Sequence, residues 1–295
     1  MRGLVVIAAT SLSIMVALSS AAQAEQTITG DFIDVSYRDS GTWGHRTLAQ
    51  GFRFRDSTAD PWVDLRGDSA TWQQFTVEFN DGANRIYRAN TWSTSNTFTS
   101  VDAELDLSSG TVNAARYEYT AGVLDVARVE IWEDSSRSLV VYFRVTNTGT
   151  VDVTNFRLVH AVNPRHDSPP SDYINTFNDS LDANGDGIAE WAQSVGPISR
   201  LAVGYGLCEL DDEVGHGPLW YLADAPIVDD GGRYEDRSLR FRHRETTILR
   251  GESVTFAFVI ATGATAAAAR ANYDAAITAA ACDVCDRDRD GFAGA

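Results

Sequence analysis

A short acidic motif in the middle of the chain has the spacing of a calcium-binding loop. In the stretch DANGDG, Asp182, Asn184 and Asp186 stand at alternate positions and Gly187 follows directly. Oxygen-bearing side chains at this spacing suit a hard cation such as Ca²⁺, and the glycine allows the sharp turn that brings them together. The spacing therefore predicts a calcium site that begins at Asp182.

The later positions of this motif are less regular. In the EF-hand pattern the carbonyl of Ile188 falls at position seven and Glu190 at position nine, but position twelve is Gln193. A glutamine cannot bind a cation through two oxygens as a glutamate does. We therefore expect a nearby carboxylate, with Asp179 and Asp167 the first candidates, to complete a structural calcium site of modest affinity. A solvated turn without metal is the alternative.

A second acidic motif lies in residues 281–295, where Asp286, Asp288 and Asp290 alternate. With a cysteine before it and a glycine and a phenylalanine after it, the motif C-D-x-D-x-D-G-F resembles the metal-binding repeats at the C-terminal ends of surface proteins from myxobacteria and their relatives. The resemblance implies that these three aspartates bind metal. The given sequence stops before position twelve, so an acidic tail without metal is the alternative.

The first 24 residues predict a secretion signal. Arg2 precedes the apolar run from Leu4 to Leu18, and small residues then end in an A-x-A cleavage pattern at Ala24. The run is shorter than the roughly 20 residues that a membrane-spanning helix needs. We therefore expect cleavage after Ala24, no transmembrane segment, and a secreted or outer-surface location in a Gram-negative bacterium.

The composition is strongly acidic and poor in cysteine. Lysine and arginine together number 24 against 41 aspartates and glutamates, which gives a formal net charge of −17. Such a surface repels nucleic acid and attracts divalent cations. Three cysteines, Cys208, Cys282 and Cys285, are too few to hold a chain of this size together, so its stability must come from a hydrophobic core. Their pairing stays open.

Short apolar runs separated by turns predict strands through most of residues 25–280. Phe75, Val77 and Phe79 alternate with polar residues, as in a strand with one buried face. The nearly continuous apolar run 139–143 indicates a central strand that is covered on both faces. The turn sequence 147–149, Asn-Thr-Gly, predicts a hairpin between two strong strands.

The C-terminal part of this region changes character. An alanine-rich stretch from Ala266 to about Ala280 predicts a helix, capped by Thr265, that covers the sandwich. Because no linker interrupts residues 25–280, we expect one all-β domain, a large antiparallel double-sheet sandwich with a short C-terminal helix. In length and strand pattern it resembles the galactose-mutarotase-like sandwiches, and the resemblance implies sugar binding without assigning a catalytic residue.

Sequence motifs for catalysis are few. The chain has neither H-E-x-x-H nor G-x-S-x-G, and nothing ranks one pair of carboxylates above another. Trp191 directly follows the calcium motif and is a candidate for stacking on a sugar ring, although burial in the core is the general alternative for tryptophan. We therefore expect binding of glycan or assembly with other copies of the chain. A secreted carbohydrate-active hydrolase or lyase is the alternative.

Overall fold

The structure is a computed structural model that describes residues 26–38, 40–44, 50–65, 73–90, 97–104, 106–164, 176–181, 189–208, 212–217, 233–235 and 238–278. The described residues contain 18 strands and one helix. In chain order these are β1 (Gln26–Thr29), β2 (Ile33–Tyr37), β3 (Phe52–Phe54), β4 (Val63–Asp64), β5 (Gln73–Asp81), β6 (Asn84–Ala89), β7 (Ser100–Glu104), β8 (Val112–Ala121), β9 (Leu124–Glu133), β10 (Ser138–Asn147), β11 (Val153–Val162), β12 (Thr176–Leu181), β13 (Trp191–Val195), β14 (Ala202–Leu207), β15 (Glu213–Gly217), β16 (Arg233–Glu235), β17 (Ser238–Ile248), β18 (Ser253–Gly263) and α1 (Ala266–Thr278).

The strands form two layers. One layer is a nine-stranded sheet with the order β16-β12-β13-β14-β18-β10-β9-β8-β7. The other combines a five-stranded sheet, β15-β17-β11-β5-β6, with a four-stranded sheet, β1-β2-β3-β4. The ladders between these strands are antiparallel. The predicted all-β antiparallel sandwich with a short C-terminal helix is confirmed.

Aromatic side chains fill the space between the layers. Phe241 of the five-stranded sheet stacks on Phe258 of the nine-stranded sheet, with ring centroids 4.4 Å apart. Phe143 and Phe256, which are directly paired on neighbouring strands of the nine-stranded sheet, stack at 5.5 Å and belong to the same core. Alternate residues of a strand point to opposite faces, so the alternation of Phe75 with polar neighbours places this ring in the same core. Each large buried apolar side chain contributes roughly 1.5–3 kcal/mol.

Strand β10 is a central strand, as its apolar run indicates. It pairs with β9 on one side and β18 on the other. Its inner residues, such as Phe143, face the core between the layers. Its outer residues Val140 and Tyr142 belong to a second apolar cluster that also contains Tyr273 of α1. Both faces of β10 are therefore covered.

The Asn-Thr-Gly turn does not form the predicted hairpin. Strand β10 belongs to the nine-stranded sheet and β11 to the five-stranded sheet, so the segment between them crosses from one layer to the other. The side chain of Asn147 donates hydrogen bonds to the carbonyl oxygens of Val151 and Ile248, at 2.9 and 3.0 Å. These bonds give backbone carbonyl oxygens near the crossing between the layers a hydrogen-bond donor. The hairpin prediction was wrong because β10 and β11 are each stabilised more by pairing with distant strands of their own sheets than by pairing with each other.

Helix α1 packs on the outer face of the nine-stranded sheet. Thr265 caps it as predicted, since its side-chain oxygen accepts a hydrogen bond from the backbone N–H of Ala268 at 3.1 Å. The Tyr273 hydroxyl donates to the carbonyl oxygen of Leu207 at 2.7 Å. A Cβ atom at Gly206 would lie 2.0 Å from the Tyr273 ring, so the glycine permits this close packing. Within the described residues, no helix has the length and apolar character to span a membrane.

Candidate functional site

A cluster of polar side chains is buried where the three sheets meet. We call it the junction cluster. The nine-stranded sheet contributes its members from β8, β9 and β14, and the two smaller sheets and the segment after β2 contribute the others. Its members are Tyr37, Trp43, Gln73, Tyr117, Tyr119, Arg128, Glu130, His160 and Tyr205, all of them buried.

Glu130 and Arg128 form the charged centre of the junction cluster. The Glu130 carboxylate accepts hydrogen bonds from the Tyr37 hydroxyl at 2.7 Å and from the Trp43 indole at 3.0 Å. It lies 3.2 Å from the Nε atom of Arg128, whose Nη2 atom donates to the carbonyl oxygen of Gly41. The hydrogen bonds to Glu130 and to the carbonyl oxygen of Gly41 offset part of the cost of burying this ion pair, while the Nη1 atom of Arg128 has no hydrogen-bond partner among the described residues.

His160 completes the cluster as a neutral residue. Its Nε2 atom lies 2.7 Å from the Gln73 amide and its Nδ1 atom 3.0 Å from the Tyr205 hydroxyl. Burial, followed by the charge of Arg128, lowers the pKa of His160 well below its usual range. The cluster therefore contains one cation and one anion that are bonded to each other inside the protein. This arrangement fixes the three sheets relative to one another.

The outer face of the five-stranded sheet differs in charge from the rest of the chain. The register places Arg240, Arg242 and Arg244 at alternate positions of β17, and therefore on one face, and it pairs Arg244 with Arg157 of β11. This face points away from the core, because the intervening residues Phe241 and His243 face inward. We call these four residues the arginine face.

Among the described residues, Glu213 is the carboxylate that forms ion pairs with the arginine face. It lies on the edge strand β15 directly opposite Arg242. One carboxylate oxygen accepts hydrogen bonds from Arg242, with the Nε atom at 3.0 Å, and the other lies 3.1 Å from the Nη2 atom of Arg244. Among the described residues, Arg157 forms no ion pair. Glu213 therefore spans two of the arginines, and Arg157 lies directly opposite Glu78 of β5.

Among the described residues, the outer face of this sheet carries more positive than negative charge, although the chain is acidic. Across the described outer face of this sheet, the register places five arginines and two glutamates. Burial and the neighbouring Arg242 lower the pKa of Arg240 to about 10, so that it keeps its charge at neutral pH. Burial, opposed by Glu213, also lowers the pKa of Arg242, and Arg244 and Arg157 add to this effect. The arginines repel one another, and an anion bound between them would relieve that repulsion.

A histidine with two carboxylates lies on the opposite face of the same strand. The Nδ1 atom of His243 is 2.6 Å from Asp212, and its Nε2 atom is 3.3 Å from Glu245. The ring stacks on Phe256 at 3.9 Å. Burial alone would lower the pKa of His243, but the hydrogen bonds with Asp212 and then Glu245 raise it to about 9. This charged pair holds the start of β15 against the sheet from inside.

The predicted calcium loop is described only at its edges. Asp182, Asn184, Asp186 and Ile188 lie outside the described residues, as do Asp286, Asp288 and Asp290 of the C-terminal motif. Cys208 is disulfide-bonded, and the other two cysteines also lie outside. Among the described residues, no group of three or more His, Cys, Asp or Glu side chains is placed to hold a metal ion.

The structure describes Asp179 and Glu190, two residues that were predicted to bind calcium. They lie near Gln193, which stands at position twelve of the motif, where a glutamate would complete the calcium site. Asp179 in β12 pairs directly with Gln193 in β13, so the two side chains share a face. The Gln193 side-chain oxygen accepts a hydrogen bond from the Trp191 indole at 2.9 Å, which engages the position-twelve side chain. The backbone of Glu190 bonds to Leu181 at 3.1 Å and thus sits where β12 ends.

Trp191 is not a surface residue, and the prediction that it stacks on a sugar was wrong. It is 1% exposed, lies under α1 and packs against Tyr273 with ring centroids 5.1 Å apart. A Cβ atom at Gly204 would lie 2.1 Å from its ring. The alternation of β13 directs Trp191 to the face that α1 covers, so it fills the second apolar cluster.

Sequence reasoning missed the arginine face, although a signal was present. The stretch from Arg240 to Arg244 reads R-F-R-H-R, with arginine at every second position of a predicted strand. Alternation of this kind places the charges on one face. The neighbouring Arg157 could not be found this way, because it is brought to Arg244 by pairing between strands 87 positions apart in sequence.

Comparison with known proteins identifies no family. No family model matches the chain, and no curated protein matches it. Similar solved structures include a galactose mutarotase-like protein from Lactobacillus casei, with TM-score 0.46, 9% identity and coverage of 81% of this chain and 100% of that one. A mutant of heparan sulfate lyase HepC from Pedobacter heparinus has TM-score 0.43 and 9% identity over 83% of this chain. The chain spans 37% of the length of that lyase. No residue role is taken from these proteins.

Proposed function

We propose that the chain is an extracellular β-sandwich protein that binds anionic glycan at the arginine face. The observation that carries the proposal is the excess of arginine among the described residues on the outer face of the five-stranded sheet, with Arg244 exposed beside Arg157, in a chain with net charge −17. Guanidinium groups bind carboxylate and sulfate groups through paired hydrogen bonds. Acidic polysaccharides carry these groups at repeated positions.

The position of the arginines supports direct contact with a ligand. The side chain of Arg244 is 51% exposed, and Arg157 is half-buried beside it. Directly paired residues of antiparallel strands have Cβ atoms about 4.5–5.5 Å apart, so one anionic group can reach both guanidinium groups. Strands hold the arginines in place, which reduces the entropy lost on binding.

An aromatic residue on the same face favours a sugar ligand over another anion. Tyr87 of β6 pairs with Glu78 of β5, and Glu78 pairs with Arg157, so all three residues lie in one row across the sheet. Neighbouring strands lie about 4.8 Å apart, which places Tyr87 roughly 10 Å from Arg157. This spacing suits a sugar ring beside an acidic one. The acidic remainder of the protein disfavours long polyanions such as nucleic acid.

The test is binding of size-matched oligosaccharides to the mature chain, residues 25–295, by isothermal titration calorimetry. We expect sulfated and uronic acid hexasaccharides to bind and neutral hexasaccharides not to bind. The double variant Arg157→Gln/Arg244→Gln should bind at least tenfold more weakly, because each charge-assisted hydrogen bond contributes roughly 1.5–3 kcal/mol. Arg144→Gln is the matched control, since Arg144 is an exposed strand arginine of the other sheet. Equal binding by the double variant would contradict the proposal.

We also propose that calcium stabilises the chain through the loop that begins at Asp182, with Asp179 as an added ligand. The D-x-N-x-D-G spacing and the pairing of Asp179 with Gln193 support this proposal. At a calcium concentration tenfold above the dissociation constant, binding stabilises the protein by about 1.4 kcal/mol. Calcium should therefore raise the thermal midpoint, and Asp182→Asn should abolish the increase. An unchanged melting curve in EDTA would rule out this site.

A further inference from the structure

Glu213 occupies the position that an anionic ligand would take. Its two oxygens bind Arg242 and Arg244, and these are two of the three neighbouring guanidinium groups at this end of the arginine face. The side chain is 28% exposed, so solvent and ligand can reach it. The carboxylate of Glu213 is chemically the same group as the carboxylate of a uronic acid.

The backbone beneath Glu213 is held independently of these ion pairs. The preceding residue, Asp212, is buried and bonded to His243 on the inner face. Strand β15 also pairs with β17 from Glu213 to Gly217. The Glu213 side chain can therefore leave the arginines by rotating about its own bonds, while the strand remains in place.

We infer that Glu213 is an internal competitor of the anionic ligand and sets the affinity and specificity of the arginine face. The inference rests on the proposed function. In the free protein Glu213 compensates the charge of Arg242 and Arg244. A ligand with a single anionic group gains mainly the contact with Arg157 and a shared contact with Arg244. A ligand with several closely spaced anionic groups can also replace Glu213 at Arg242.

The ligand class that follows is a glycan with dense anionic groups, such as a polysulfated or polyuronic chain. A glycan with one carboxylate per disaccharide competes with Glu213 for the same arginines. It has no second anionic group close enough to take the place of Glu213 at Arg242. Neutral glycans have no group that displaces Glu213 at all. The protein should therefore bind densely charged glycans more tightly than sparsely charged ones. A positive patch without Glu213 would show a smaller difference in affinity.

The experiment compares wild-type protein with Glu213→Gln, using a heparin hexasaccharide and a hyaluronan hexasaccharide as probes in calorimetric titrations. Glutamine keeps the size of the side chain and removes its charge. We expect Glu213→Gln to bind hyaluronan about three- to tenfold more tightly than the wild type does, because the strength of a partly exposed ion pair limits the gain. Glu118→Gln is the charge-matched control, since Glu118 is exposed on the other sheet and should leave both affinities unchanged.

A second variant separates competition from a simple change in net charge. Glu213→Asp keeps the charge but shortens the side chain, so it cannot reach both arginines as Glu213 does. We expect Glu213→Asp to increase the affinity for hyaluronan by part of the amount seen with Glu213→Gln. Glu213→Asp also tests the inference if thermal melting shows that Glu213→Gln does not fold.

The outcomes distinguish the inference from the proposed function. If the wild type binds acidic hexasaccharides but Glu213→Gln binds equally or more weakly, Glu213 positions the arginines and the inference is wrong, while the proposed function stands. An equal gain with Glu118→Gln would also overturn the inference, because net charge alone would explain it. If neither the wild type nor any variant binds an acidic hexasaccharide, both are overturned.

Discussion

The junction cluster and the arginine face place arginine in opposite environments. In the junction cluster, Arg128 is fully buried and lies beside Glu130, which also accepts hydrogen bonds from a tyrosine and a tryptophan. On the arginine face, Glu213 is shared by Arg242 and Arg244, and Arg157 has no ion-pair partner among the described residues. Among the described residues, charge is therefore balanced in the junction cluster, whereas the arginine face has more arginines than carboxylates.

The difference supports a structural role for the junction cluster and, in the proposed function, a binding role for the arginine face. A buried charge without a partner costs several kcal/mol, so the fold requires Arg128 and Glu130 together. On the arginine face, Arg244 is exposed and its charge is screened by water, whereas Arg240 and Arg242 are buried. In the proposed function, an anionic ligand binds at the exposed end of this face, at Arg244 and Arg157.

The largest expected effect is the loss of stability when the junction cluster is broken. Replacing Glu130 by glutamine leaves Arg128 buried without an anionic partner, and Arg128→Met leaves Glu130 in the same state. We expect each change to lower the free energy of unfolding by about 3–5 kcal/mol. Urea denaturation of the purified variants measures this loss.

The double variant Arg128→Met/Glu130→Gln provides the control for this prediction. It removes both charges, so we expect it to be more stable than either single variant. Arg144→Met, at an exposed position of the same nine-stranded sheet, should change the stability by less than about 0.5 kcal/mol. Single variants as stable as the wild type would mean that the Arg128–Glu130 pair does not hold the junction.

Much of the fold follows from local sequence patterns. Three patterns each indicate which face of an element is buried. They are the alternation of Phe75, Val77 and Phe79, the apolar run of β10, and the capped alanine-rich helix. The crossing between β10 and β11 could not be predicted from its Asn-Thr-Gly turn, because turn residues indicate where a chain bends and not which sheet the next strand joins. That choice depends on β18 and β17, which come about 100 positions later.

The candidate site was less accessible to sequence reasoning. The sequence before β15 shows only a run of acidic residues, yet Asp212 is buried against His243 and Glu213 bonds to two arginines. These partners lie about 30 positions away, and only strand pairing brings them together. Trp191 was misjudged for the same reason, because the helix that covers it follows much later in the chain.

The next largest expected effect is a dependence of stability on pH at the inner side of β17. Asp212 and Glu245 raise the pKa of His243 to about 9 from its usual 6.5, although burial opposes them. The folded protein therefore binds this proton more tightly than the unfolded chain does. The stabilisation is complete below about pH 6.5 and is lost as the pH rises through about 9. We expect a loss of at most about 3 kcal/mol.

Urea denaturation at several pH values between about 6 and 10 measures this loss. Asp212→Asn should lower the stability at neutral pH and flatten the profile, because the histidine then loses its main partner. Glu118→Gln should leave the wild-type profile unchanged. If the stability of Asp212→Asn depends on pH as that of the wild type does, a group other than His243 causes the pH dependence. Glycan affinity should vary little below pH 9, since Arg240, with a pKa of about 10, stays charged there.

The smallest expected effect is the response to salt, which should separate the two clusters most cleanly. At about 0.1 M ionic strength, exposed charges are screened beyond about 10 Å, whereas buried pairs are screened much less. Raising the salt from about 0.05 to 0.5 M should weaken binding of an acidic hexasaccharide by roughly tenfold and leave the urea midpoint nearly unchanged. Arg157→Gln/Arg244→Gln should reduce the slope of affinity against salt, and Arg144→Gln should not. If the slope stays the same in the double variant, the ligand contacts arginines elsewhere, and the positive charge of the arginine face serves the fold.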